Sequence, residues 1–87
     1  MSNNEQPFTK ITLYPVTAAI WKNESAKGEP YYSFTLARSY KDDSGAYQTS
    51  GSYKRNDALL VQKVAELAFD KIIELENIDR SAGKSQE

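Results

Sequence analysis

Over residues 31–37 apolar and polar side chains alternate, with Tyr32, Phe34 and Leu36 set between Tyr31, Ser33, Thr35 and Ala37. Successive side chains of a strand point to opposite faces, so this period of two predicts a β-strand over residues 31–40, with one apolar and one mostly polar face. A turn is expected over Lys41-Asp42-Asp43-Ser44-Gly45, because Asp and Ser bond back to nearby backbone and Gly tolerates positive φ. That composition favours a longer hairpin loop over a two-residue one. Residues 46–54 then read as a returning strand. Tyr47, Thr49, Gly51 and Tyr53 share one face and Gln48, Ser50, Ser52 and Lys54 the other, with Gly51 weakening the strand or marking a bulge.

Upstream, residues 8–21 also read as extended. Ile11 and Leu13 alternate with Thr12 and Tyr14, and Val16, Ala18 and Ile20 alternate with Thr17, Ala19 and Trp21. Pro15 cannot donate to a ladder, so it implies an edge position, a bulge or a break between two short strands. Residues 22–30 are polar, with Gly28 and Pro30 near the end, and suit a hairpin loop. Beyond residue 56 the period changes: Leu60, Val61, Val64, Leu67, Ala68, Ile72 and Leu75 recur at helical spacing. Asn56 is the expected N-cap, and Asp57 suits the positive end of the helix dipole. The expectation is a helix over residues 56–77, with flexible tails at residues 1–8 and 78–87. The predicted fold is thus a single α+β domain over residues 9–77: a twisted antiparallel β-sheet of three to four strands, then one C-terminal helix packed on one face. Each Leu or Val of the helical stripe buried on that sheet contributes about 1.5–3 kcal/mol.

An 87-residue chain buries a modest core, so a homodimer is expected as a way to enlarge it. A net charge of -1 excludes a broad basic coating. Charge is nevertheless unevenly divided. Residues 8–55 carry Lys10, Lys22, Lys27, Arg38, Lys41, Lys54 and Arg55 against four acids, whereas the helical half is acidic. The absence of Cys removes disulfides and thiolate sites, and the absence of His removes the commonest metal ligand and general base. Asp70 and Glu74 share a helix face with Glu76 nearby, which reads as a solvated acidic surface rather than a metal site. Gly28 and Gly45 stand alone, so no phosphate-cradling loop is present. No enzyme, catalytic residue, metal or cofactor is expected. No apolar run approaches the roughly 18 residues of a membrane helix and the chain starts polar, so a soluble cytoplasmic protein is expected.

If the helix covers one face of the sheet, the other carries Trp21 and Tyr31, with Tyr40 and Tyr47 near the hairpin tip and several cations within reach. Every base offers a π-face for stacking and cations track phosphate, so this combination suits single-stranded DNA or RNA without sequence preference. The candidate nucleic-acid-binding residues are Trp21, Lys22, Tyr31, Arg38, Tyr40, Tyr47, Lys54 and Arg55. Two other expectations compete. Aromatics are favoured in strands for packing alone and can be buried between subunits. A small accessory or inhibitor module of phage or mobile-element type would use the same face, or an exposed strand edge, on a protein partner.

The run Phe34-Thr35-Leu36-Ala37-Arg38-Ser39-Tyr40-Lys41-Asp42-Asp43-Ser44-Gly45, a polar strand and then Asn56 before an amphipathic helix resembles the C-terminal domain of positive cofactor four, a single-stranded-DNA-binding transcriptional coactivator. The whirly and purine-rich-element-binding folds use similar units. The resemblance implies a curved antiparallel sheet followed by one helix, dimerisation through helices and sheet edges, and single-stranded DNA laid across the sheet in transcription or DNA metabolism. Tyr40 matches the aromatic before the acidic turn, Gly45 the Gly of the turn, and Asn56 the Asn that opens the helix. The family's Gly, Arg and Lys cluster is replaced here by Ser50-Gly51-Ser52-Tyr53, with Lys54 and Arg55 matching loosely.

Overall fold

The structure is a computed structural model that describes residues 6–84, with side chains described through Ser81. Four strands, β1 (Thr9–Leu13), β2 (Val16–Glu24), β3 (Pro30–Lys41) and β4 (Tyr47–Ser50), form an antiparallel meander in the order β1-β2-β3-β4. A 3-10 turn, Arg55–Asp57, leads into a single helix, α1 (Ala58–Lys84). The fold is therefore α+β as predicted, with four strands. Pro15 marks a break: Leu13 pairs with Val16, and Tyr14-Pro15, joined by a cis peptide, is the two-residue loop between them. Outside the ladder, the missing Pro15 N–H costs nothing.

Both longer hairpins are closed by side chains that accept backbone N–H groups. Ser25 Oγ accepts from Lys27 and Glu29, and Gly28 takes the positive φ of 83° that this turn needs. In the β3–β4 loop, Asp42 Oδ1 accepts from the Ser44 hydroxyl at 2.7 Å, the Ser44 amide at 2.9 Å and the Ala46 amide at 3.0 Å; Oδ2 accepts from Gln48 Nε2 at 3.0 Å. These donors, the Ser44 hydroxyl foremost, hold the Asp42 carboxyl down to about 2. A depressed carboxylate supports the fold above its unfolded pKa of about 3.9 and loses that contribution as pH falls through the folded value. The Asp42 carboxyl carbon is expected to titrate in NMR with a midpoint near 2, with the Ser44 and Ala46 amides shifting on the same curve. A midpoint near 4 would contradict the bonded turn.

Residues paired across an antiparallel sheet share a face, so the register places Ile11 and Leu13 of β1, Val16, Ala18 and Ile20 of β2, and Tyr32, Phe34 and Leu36 of β3 on one side. Val16, Ala18 and Ile20 are fully buried there against Val64 and Ala68, with Leu75 completing the core and Leu60, Val61 and Ile72 packed around it. Six residues of the predicted helical stripe thus cover the sheet; the seventh, Leu67, is half-buried outside this cluster.

Several expected boundaries move. β2 runs on to Glu24 and β3 starts at Pro30, so the loop expected over residues 22–30 is confined to residues 25–29. β4 ends at Ser50 instead of continuing to Lys54. Arg38 Nε donates to the Ser52 carbonyl at 3.0 Å and, on the helix side of the sheet, draws the chain out of the ladder. Asn56 is not the N-cap, since it lies inside the 3-10 turn; Asp57 Oδ2 instead accepts the Lys54 N–H at 2.9 Å. Finally, α1 runs through Lys84 where a tail was expected from residue 78. Its later turns are tied to the sheet by Asp79, whose Oδ2 accepts the Tyr32 hydroxyl at 2.8 Å and faces Lys22 Nζ at 3.8 Å. At the other end Phe8, assigned to a tail, donates its N–H to the Ile20 carbonyl at 2.8 Å and packs edge-on against Tyr32. The rest of the two expected tails, residues 1–5 and 85–87, lies outside the described residues.

Candidate nucleic-acid interface

The sheet face opposite α1 is built by the other parity of each strand: Lys10 and Thr12, then Thr17, Ala19, Trp21 and Asn23, then Tyr31, Ser33, Thr35, Ala37, Ser39 and Lys41, and finally Tyr47 and Thr49. Small hydroxyl and methyl side chains make its floor, and the aromatics rise from it. Trp21 is held in place: its Nε1–H donates to Thr35 Oγ1 at 3.1 Å, laying the indole toward β3 with its polar edge satisfied. Beside it, Asn23 Nδ2 donates to Ser33 Oγ at 3.0 Å. A shallow depression of about 320 Å³ surrounds the indole, with Lys10, Thr17, Thr35, Ser39 and Thr49 in its lining.

The register turns this face into a directional site. Lys10 pairs with Ala19, one same-face step from Trp21, and Tyr31 pairs with Asn23, one same-face step beyond Trp21. Lys10, Trp21 and Tyr31 therefore lie on one diagonal across β1, β2 and β3, each about 7–8 Å from the next. Tyr31 is half exposed. At the far end of the same face, Lys41 Nζ sits 5.5 Å from the centre of the Tyr47 ring, which is itself exposed. This second pair lies roughly 25–30 Å from Trp21, eight residues along β3 and two strands across.

Of the eight residues expected at the site, Trp21, Tyr31 and Tyr47 share this open face. The other five do not. Lys22, Arg38 and Tyr40 have the parity of the core residues and project on the helix side. Lys22 is occupied there by Asp79 and lies within 6 Å of the Phe8 and Tyr32 ring centres. Arg38 faces Asp57 Oδ2 at 3.5 Å and stacks over Tyr40 at 5.5 Å. Lys54 and Arg55 stand at the start of the 3-10 turn, after the chain has left the sheet. Two cations of this face, Lys10 and Lys41, are not among the eight, and the alternation signals Lys10 most directly. Its signal was present: it precedes Ile11, and alternation places it opposite that core residue, on the side of Trp21.

Asp79 also acts on the other face. Burial first, and then the bond to Asp79, raise the Tyr32 phenol above its ordinary value, so it stays a neutral donor. Among the described residues, no helix is long and apolar enough to cross a membrane. No protein-family model, curated protein or solved structure matches the chain.

Proposed function

We propose that the open sheet face binds single-stranded nucleic acid, DNA or RNA, with little sequence preference. The observation that carries this reading is the diagonal of Lys10, Trp21 and Tyr31, with the indole oriented by Thr35 over a hydroxyl-lined depression. A base stacks on the indole, its neighbour on Tyr31, and the phosphate that precedes them meets Lys10. Hydroxyls of Thr17, Thr35, Ser39 and Thr49 offer bonds to sugar and base edges that no one base monopolises. Lys41 and Tyr47 take the strand where it leaves the sheet. The protein is on this reading a cytoplasmic binding protein without catalysis, acting in transcription or DNA metabolism, and the meander followed by one helix supports kinship with the positive cofactor four type of domain.

The single Trp makes the test direct. Oligothymidylate, oligoadenylate and oligouridylate added at low salt are expected to quench Trp21 emission as bases stack on the ring. With Lys10 and Lys41 as the cations of this face, log affinity should fall against log salt with a slope of about -1.4, or about -0.7 for each phosphate neutralised on a single strand. Unchanged emission together with no mobility shift would remove the proposal.

A further inference from the structure

β4 pairs only with Arg38, Ser39, Tyr40 and Lys41, so residues 31–37 of β3 have no strand beyond them among the described residues. The Ser25 N–H donates to Glu29 and the Ser39 N–H to Pro15, so odd-numbered residues of β3 bond toward β2. The Asp42 N–H donates to Ala46, so even-numbered residues point the other way. The N–H and C=O groups of Tyr32, Phe34 and Leu36 therefore face the open edge. Soluble proteins guard such edges with Lys, Pro, bulges or short strands, yet residues 31–37 contain neither charge nor proline. Ser33, Phe34 and Thr35 are exposed in succession, so the middle of the edge is uncovered on both faces.

On the helix side this edge is bordered by aromatic rings. Ala65, Phe69, Ile72, Glu76 and Asp79 follow one another at four- and three-residue spacing, so they share one flank of α1. The bond from Tyr32 to Asp79 identifies it as the flank turned toward β3. Phe69 is 63% exposed there, and Phe34, on the helix side of β3, is 41% exposed although it pairs with the fully buried Ile20. The two ends of the edge differ in charge. The hairpin loop before Pro30 carries exposed Glu24 and Glu29 against Lys27, whereas the segment that follows β4, tied to Arg38 through Ser52, carries exposed Lys54 and Arg55.

We propose that this edge receives an extended segment of a protein partner, paired antiparallel with residues 31–37. The segment is apolar opposite Tyr32, Phe34 and Leu36, acidic at its N-terminal end and basic at its C-terminal end. An antiparallel strand starts opposite residue 37 and ends opposite residue 31, so its acid meets Lys54 and Arg55 and its base meets Glu24 and Glu29. Backbone bonds at Tyr32, Phe34 and Leu36 supply affinity that is independent of sequence. The alternate side chains, lying on the helix side against Phe34 and toward Phe69, supply the selectivity. A segment of this length stops short of Arg38, so β4 keeps its place. It adds a strand beside β3 and leaves Lys10 and Trp21 uncovered on the other face, so the two sites can be filled at once.

The test needs no nucleic acid, so its outcome is separate from that of the binding proposal. The probe is the fluorescently labelled heptapeptide acetyl-Glu-Ile-Thr-Val-Thr-Leu-Lys-amide, titrated with the full chain and followed by anisotropy. Saturable binding is expected below about 1 mM. N-methylation of its Val removes the N–H aimed at the Phe34 carbonyl and should weaken binding at least about fivefold. Exchanging the terminal Glu and Lys should weaken it about threefold, and Phe34→Ser about two- to fivefold. In NMR the amides of Tyr32, Phe34 and Leu36 should gain hydrogen-exchange protection, and the Trp21 indole N–H should not shift. No saturation up to about 1 mM, equal binding of the N-methylated peptide, or protection confined to other amides overturns the proposal. So does self-association of the chain, seen in sedimentation velocity, that protects those three amides and excludes the peptide, since the edge then belongs to a second copy.

Discussion

Trp21→Ala is expected to weaken the binding of a short labelled oligothymidylate roughly 5- to 150-fold in fluorescence anisotropy at low salt. Alanine substitution of a base-stacking aromatic costs about 1–3 kcal/mol, and 1.4 kcal/mol is a factor of ten. The same-face neighbours of Trp21 on its own strand, Ala19 and Asn23, offer no ring to replace the lost surface. Thr35→Val should cost less: it removes the acceptor that orients the indole and leaves the ring in place. Tyr40→Ala is the contrasting control, since Tyr40 lies on the helix side beside Arg38 and should leave affinity unchanged. Equal losses at Trp21 and Tyr40, or none at Trp21, would dissociate binding from the open face.

The largest expected loss of stability away from the apolar core follows Asp57→Ala. Asp57 is the buried acidic side chain at the entry to α1. It accepts the Lys54 N–H, as a cap does at a cost of about 1 kcal/mol when lost. It also faces Arg38, and the two side chains are only 11% and 16% exposed. Alanine would leave that guanidinium mostly buried with the Ser52 carbonyl as its remaining bonded partner. Breaking a fully buried pair costs about 3–5 kcal/mol; with the residual exposure discounted and the cap included, about 2–4 kcal/mol is expected here. For a domain of this size that lowers Tm by roughly 10–25 °C. Asp57→Asn keeps an acceptor for Lys54 and should lose less. Equilibrium urea unfolding measures both, and a loss under about 1 kcal/mol for Asp57→Ala would show that the pair is solvated.

The two variants separate roles that the aromatic and basic composition of the sheet had merged. Arg38 ties β3 to the start of the helix, and Lys22 meets Asp79 of its later turns. Neither is on the face of Trp21. Parity already contained that division: Lys22 follows Ile20 by two residues and Arg38 follows Leu36 by two, so alternation assigns both to the core side. Grouping cations by their nearness in sequence to aromatics overrode it, as it also passed over Lys10.

Local chemistry along the chain determined most of the architecture. The period of two in Val16, Ala18 and Ile20 set Trp21 on the opposite face, the three- and four-residue spacing of Val64, Ala68 and Leu75 set the covering helix, and Asp42 with Gly45 set the β3–β4 hairpin, because each depends on neighbours a few residues apart. Only the tertiary structure decided where β4 stops and where α1 ends. The first depends on Arg38 bonding Ser52, fourteen residues away, and the second on Asp79 meeting Tyr32, forty-seven residues away. Such contacts join residues far apart in sequence, so no local pattern encodes them. β3 shows the result: it pairs with β2 along residues 30–38 but with β4 only along residues 38–41.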